Sequence, residues 1–279
     1  MELFSVSGLS ERVYMSKIGG TIREIHYMET LSSRDQWVNQ IHPLVKFVLT
    51  VIYILAVVSF YKYDVAGLAG FAVYPLAVFI LAELSFLDSL KRLRFVLPLV
   101  CLVGILNPFL DKQEVMLAGV PVSAGVLSMT TLIMKGVFSV LASYLLIATT
   151  SLEKLCYALG MLHIPRAAVT QFLLTYRYIT VLLEEVDRIT QAYLLRAPRQ
   201  KGIHFKAWGS LAGQLLLRSL DRANEVYESM LLRGYQGDYG YMREHAVPGR
   251  QDRRYFIFWM AVFALFRACP VILVIGSIF

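Results

Sequence analysis

The run VSAGVLSMTTLIMKGVFSVLASYLLIAT, from Val122 to Thr149, sets the class of this protein. Lys135 is its single charged residue, and it exceeds the roughly 20 residues that a helix needs to cross a bilayer. Inside hydrocarbon no water is present to bond the backbone, so such a stretch satisfies its own peptide groups as a helix. The surplus length predicts tilt or an extension past the interface. On either side, Leu44 to Phe60, Val65 to Ala82, Phe95 to Leu110 and Tyr255 to Phe279 read as further spans. Pro98 and Pro108 predict a kink or tilt in the third of the five. A hydrophobic content of 57% exceeds the roughly half or less of ordinary soluble domains. The expected fold is all-α: a polytopic helical membrane protein with about five transmembrane helices and a cytoplasmic pair of long amphipathic helices.

Basic residues give the orientation. Lys91, Arg92 and Arg94 crowd the second connection, and about half of the 27 Lys and Arg fall between Ser151 and Arg254, whereas the first and third connections offer Lys62 and Lys112. These loops alternate if the N-terminus is cytoplasmic and the C-terminus external. The net charge of +7 therefore reads as charge beside an anionic leaflet rather than as a nucleic-acid surface. The expected organisation is a cytoplasmic N-terminal lead-in over 1–43, with Trp37 as an interfacial anchor, then transmembrane helices 1 to 4 over 44–150. A cytoplasmic helix domain over 151–254 and a last transmembrane helix over 255–279 follow. The first forty residues hold no basic region followed by an apolar one, which predicts no cleavable signal peptide.

The polar segment between the fourth and last spans carries the functional signal. Thr150 and Glu153 predict a capping box, and Ile164-Pro165 a break. A long helix is expected from Arg166 to about Arg196, with Phe172, Tyr176, Ile179, Leu183, Val186, Ile189 and Tyr193 recurring along one face. A basic linker, Arg199-Gln200-Lys201-Gly202, leads to a second helix from about Trp208 to Arg233. Its less polar face runs through Leu211, Leu215, Leu216, Ser219, Ala223, Val226, Tyr227, Met230 and Leu231, with Gly234 as a left-handed C-cap. An antiparallel arrangement brings Arg196 and Arg233 to opposite ends; if the helices cross as an X, both tips still point at one cytoplasmic face.

Catalytic signals are lacking. His26, His42, His163, His204 and His245 are scattered without HxH or HxxxH spacing, and no GxxxxGK[ST] loop is present to cradle a phosphate. Cys101, Cys156 and Cys269 are odd in number and widely spaced, and read as packing residues. Lys135 is costly in mid-span, so it faces the bundle interior, a cavity or a partner, or snorkels to the interface. Arg196 and Arg233 each follow a Leu-Leu pair at a helix end. A cation there is favoured by the helix dipole, and a planar guanidinium is also suited to gripping a carboxylate on a partner.

Three stretches carry a resemblance: His42-Pro43-Leu44-Val45-Lys46, Thr149-Thr150-Ser151-Leu152-Glu153-Lys154-Leu155, and Phe172-Leu173-Leu174-Thr175-Tyr176-Arg177-Tyr178-Ile179. The most specific is a fourth, Arg218-Ser219-Leu220-Asp221-Arg222-Ala223-Asn224-Glu225-Val226-Tyr227-Glu228-Ser229-Met230-Leu231-Leu232-Arg233-Gly234-Tyr235. At these residues the chain resembles the transmembrane T component of energy-coupling factor transporters, cobalt type (the CbiQ family). The resemblance implies a non-catalytic subunit in a bacterial or archaeal plasma membrane, with no cofactor. Its implied partners are two ATP-binding cassette ATPase subunits and a small membrane substrate-capture subunit, with an accessory membrane protein as a further candidate. Nickel and vitamin importers of similar build are alternatives to cobalt, and a permease, a channel or a membrane enzyme are rivals of another class. The family's two Ala-Arg-Gly coupling motifs fall on Leu195-Arg196-Ala197 and Leu232-Arg233-Gly234. Leu replaces the leading Ala in both, and Ala-Pro follows Arg196 where the family has Gly. Lys135 falls where family members often carry a basic residue, which fits a structural role or contact with an intramembrane partner.

Overall fold

A single turn, α1 (Trp37–Gln40), leads into α2 (Pro43–Val58), whose start is fixed twice over. Pro43 occupies the first helical position, where its missing N–H costs nothing, and His42 Nδ1 accepts from the Leu44 N–H at 3.2 Å. In this computed structural model the described residues are 20, 23, 25–33, 36–84, 98, 102, 104–105, 114–117, 120–162, 164–197, 203–237 and 248–268. They belong to two units, one of Leu31–Ala158 with Ala246–Phe279 and one of Met1–Thr30 with Leu159–His245.

The first unit is built on α2 and α5 (Ala124–Thr149), with α3 (Val65–Gly70), α4 (Val73–Leu81) and α9 (Arg250–Ala268) packed against them. Among the described residues α5 is the one continuous helix long and apolar enough to cross a membrane; α2 and the α3–α4 pair are apolar but shorter. In α2 the buried side chains Val45, Leu49, Tyr53 and Val57 recur every four residues. Leu55 and Val58 on the opposite side are more than half exposed. Apolar on both sides, this helix differs from a surface helix of a soluble domain.

The second expected span is broken. Where a continuous helix was expected over Val65 to Ala82, α3 ends at Gly70 and α4 begins at Val73. The cause is Pro75, which has no N–H to meet the Phe71 carbonyl four residues earlier. The Tyr53 hydroxyl donates to that carbonyl instead, at 3.0 Å. Phe71 itself is buried in an aromatic cluster, stacked on Phe263 at 5.6 Å between ring centres. Tyr74 joins the cluster edge-on to Trp259 at 4.8 Å.

The last helix starts five residues earlier than its apolar run. Asp252 lies in its first turn, where Oδ2 accepts from the Gly249 N–H at 2.7 Å, half of a capping box. Its Oδ1 accepts from the His42 N–H at 2.9 Å, tying the starts of α2 and α9 together. Residues beyond Ala268 and nearly all of the third expected span lie outside the described residues. One short antiparallel hairpin, β1 (Glu114–Leu117) with β2 (Val120–Ser123), pairs Leu117 with Val120 and Glu114 with Ser123; every other described element is helical. Trp37, half exposed, meets Tyr255 edge-on at 5.9 Å.

A one-residue shift corrects the expected capping box. Thr150 closes α5, and α6 (Leu152–Met161) is capped by Ser151, whose Oγ accepts from the Lys154 N–H at 3.4 Å. The division between units falls inside α6. Cys156, on α6, is buried; burial and the neighbouring Glu153 push its thiol up, as suits a packing residue rather than a nucleophile.

The second unit holds α7 (Arg166–Arg196) and α8 (Phe205–Leu232), packed on one another. Of the expected seam of α8, Leu211, Leu215, Ser219, Val226 and Met230 are half-buried, whereas Leu216, Ala223, Tyr227 and Leu231 are exposed. On α7 the expected stripe is only partly the buried one. Ile189 is buried, but Phe172 is 60% exposed, while Val169, Thr170, Thr190 and Leu194 are covered. A helix of 31 residues with apolar side chains on more than one side offers several stripes, and periodicity does not choose between them.

Candidate functional site

The ends of α7 and α8 carry the two arginine tips, built by different means. Arg233 is the C-cap of α8, and Gly234 follows at φ +82°. The Gly234 N–H donates to the Leu231 carbonyl at 2.9 Å and the Tyr235 N–H to the Met230 carbonyl at 3.0 Å, the paired bonds of a Schellman motif. At the other tip Arg196 is the last residue of α7, and the N–H of Ala197, at φ −127°, donates back to Tyr193 and Leu194. Each arginine stands beside an exposed leucine: Leu195 is 77% and Leu232 90% exposed, against 4% for Leu194. A chain end that aims a large apolar side chain and a cation outward together has the makings of a docking knob.

Gly234 gives a local test. A Cβ there meets nothing within 4 Å, so Gly234→Ala costs only the left-handed backbone, about 1 kcal/mol. The thermal midpoint of the detergent-solubilised protein is expected to fall by about 2–4 °C. An unchanged midpoint would mean that the Schellman end is not held in the folded state.

The structure does not bring the two tips together. Arg233 lies beside Leu174 and Arg177 on α7, where with Arg222 and Ser229 it lines a recess of about 250 Å³. A rise of about 1.5 Å per residue then puts Arg196 about 28 Å away along the α7 axis. Between the tips an ion pair from Glu185 to Arg218 ties α7 to α8, and Arg188 reaches the same Glu185 at 3.8 Å. A groove of about 680 Å³ runs along this interface past Leu182, Glu185, Leu215 and Arg218.

Lys135 sits in the other unit, and its partners are backbone. Its Nζ donates to the Val58 carbonyl at 3.0 Å and to that of Phe60, covering the end of α2. Arg267 donates to the Ser59 carbonyl and hydroxyl beside it and lies over the Phe60 ring at 4.5 Å. The mirror contact is made by Lys46, near the start of α2 and only 5% exposed, which donates to the Thr149 carbonyl at the end of α5 at 2.9 Å. Each of these two helices thus supplies the cation that meets the other's negative C-terminus. Sequence reading singled out Lys135 but gave no role to Lys46, Asp252 or Arg267. The lysine in His42-Pro43-Leu44-Val45-Lys46, one turn into an apolar run, was the available signal for the first. Among the described residues no group of three or more His, Cys, Asp or Glu is placed to hold a metal ion.

Residues 34–244 match the CbiQ family of cobalt transport proteins, well over half of the chain. The chain belongs to that family. Among curated proteins it is 28% identical over 152 residues to the cobalt transport protein CbiQ of Salmonella typhimurium, covering 50% of this chain and 67% of that one. A Ycf92-like protein of Nostoc is 30% identical over 122 residues, and an uncharacterized protein of Methanocaldococcus jannaschii is 28% identical over 120. These matches take in 38% and 43% of those two proteins, less than half of each. Membership of the CbiQ family, with the long apolar α5, makes this chain a membrane component of a transport system. Both tips fall inside the matched range, as do Lys46 and Lys135; Asp252 and Arg267 fall outside it.

Proposed function

We propose that this CbiQ-family chain is the T component of an energy-coupling factor importer, most specifically for cobalt. In this reading five spans cross the membrane with the N-terminus cytoplasmic, and residues 151–254 lie on the cytoplasmic side. Two separate ATPase subunits close on Arg196 and Arg233 during ATP hydrolysis. The long helices carry that movement to a small membrane subunit that captures the metal ion. The chain itself is not catalytic. Leu195-Arg196-Ala197 and Leu232-Arg233-Gly234 are the coupling contacts, and Lys135 serves the bundle rather than the ion, which a cation repels.

The observation that supports this most is the paired exposure of Leu195 with Arg196 and of Leu232 with Arg233 at the ends of two packed helices. A permease or channel has no need of such tips. Family membership points the same way, and the cobalt in the family's description is the basis for the substrate. The test is purification in detergent from the native membrane, expected to bring two ATPase chains and a small membrane protein. Uptake of cobalt against nickel by the reconstituted complex then identifies the ion. A chain that purifies alone and transports metal alone would end the proposal.

A further inference from the structure

The outward side of α9 changes chemistry abruptly along its length. Arg250, Arg253 and Arg254 are exposed in its first two turns, and Ile257, Phe258 and Leu265, each more than half exposed, continue the same stripe at spacings of three, four and seven residues. Opposite this stripe Tyr255, Trp259 and Phe263 are buried in the aromatic cluster of the first unit. Packing explains the buried side but not the arginines. Among the described residues none of the three forms an ion pair. Asp252, the acid of the first turn, commits its two oxygens to the Gly249 and His42 N–H groups instead. The N-terminus is also the positive end of the helix dipole, so three cations there stand against the local field.

An anion with an apolar tail answers both halves of the stripe. Side chains three and four apart on a helix are neighbours, so Arg253 and Arg254 each stand next to Arg250, and a phosphate accepts from two guanidinium groups at once. From Arg254 to Leu265 the helix rises about 16 Å, against about 15 Å for half of a bilayer's hydrocarbon core. Trp37 marks the level of the arginines: half exposed, it meets Tyr255, the residue after Arg254, edge-on at 5.9 Å, and such rings gather at the headgroups. A free phosphate or a nucleic acid would match the arginines but leave the apolar half of the stripe bare. We propose that Arg250, Arg253 and Arg254 bind the phosphate of an anionic phospholipid whose acyl chain lies along Ile257, Phe258 and Leu265. The site rests on one element of the proposed topology, the last span over 255–279, and is independent of the ATPase contacts.

The test uses the full chain, purified with its native partners and reconstituted in vesicles of equal parts phosphatidylglycerol and phosphatidylcholine. A photoreactive benzophenone side chain replaces Phe258, and mass spectrometry reads what it joins on illumination. The expected product is phosphatidylglycerol in clear excess over phosphatidylcholine. In the Arg250→Gln, Arg253→Gln and Arg254→Gln series that excess is expected to fall about fivefold for each arginine replaced, the weight of one basic residue beside anionic headgroups. A control that removes as many charges elsewhere, Lys62→Gln with Arg166→Gln and Lys206→Gln, is expected to keep the excess. Because the three arginines are exposed and without ion pairs, their variants are expected to keep the parent's thermal midpoint.

Equal joining of both lipids by the parent, or an excess that the control loses as readily as the arginine series, overturns the site while leaving α9 in the membrane. Joining to a protein subunit in place of lipid overturns it in favour of a face covered by a partner. If the benzophenone joins no lipid and no protein, α9 does not face the bilayer; the last span of the topology then falls, and the lipid site with it.

Discussion

Arg233→Glu is expected to leave the protein inserted and folded but to abolish ATPase association and ATP-driven uptake. At an exposed helix end the folded-state cost is small: loss of a cation from the C-terminus of α8 is worth about 0.3–1 kcal/mol, and the reversed charge roughly doubles it. In the proposed coupling contact the same change costs far more, because it removes a charge-assisted contact and sets a negative charge where the arginine would meet a partner carboxylate. Truncating a buried interfacial charge pair costs about 2–5 kcal/mol, or about 30-fold to several thousand-fold in affinity. A glutamate at this position also lies near Arg177 and Arg222, which line the same recess. Co-purification of the ATPases and uptake by the variant are the measurements. Full uptake by the charge-reversed protein would remove the coupling role. Arg196→Glu is expected to weaken association less, because Arg196 lies outside this recess and its helix ends on Ala197 without a Schellman motif.

Lys135→Met is expected to lower the thermal midpoint of the solubilised protein. The change keeps the length of the side chain but leaves the carbonyls of Val58 and Phe60 without their lysine donor. Each polar group left unsatisfied costs about 1–3 kcal/mol. Partial solvent access at the α2 end and relief of placing a lysine in an apolar span offset part of that. A net loss of about 2 kcal/mol corresponds to about 4–8 °C. Lys135→Arg keeps a donor and is expected to stay within about 2 °C of the parent. A midpoint unmoved by methionine, with uptake lost, would instead assign Lys135 to a contact with an intramembrane partner.

Much of the local structure was legible in the chain. The limits of α7, Arg166 and Arg196, follow from a proline break and an amphipathic period, and the left-handed Gly234 follows from a Leu-Leu-Arg-Gly helix end. Other features depended on contacts remote in sequence. Pro75 carries a breaking signal that its apolar surroundings conceal, and its outcome was decided by Tyr53, which took over the Phe71 carbonyl. Asp252 looked like one more charge in a polar segment until His42 donated to it from 210 residues away. The arginine tips were readable as residues at helix ends; the recess was not, because Arg177 and Arg233 share it only through the packing of α8 on α7.

The sequence by itself determined that the protein is apolar and mostly helical, where the two long helices end, and that an arginine stands at each of those ends. These depend on composition, on a 3.6-residue period and on residues with strong local backbone preferences, all of which act within a few turns. Tertiary structure alone decided which side chains meet the freed backbone groups: Lys135 and Arg267 at the end of α2, Lys46 at the end of α5, and Tyr53 at the α3–α4 break. A carbonyl left at a helix end or break needs a donor, and the chain supplies one from whichever helix packs beside it. That choice depends on distance in space, which spacing in sequence does not encode.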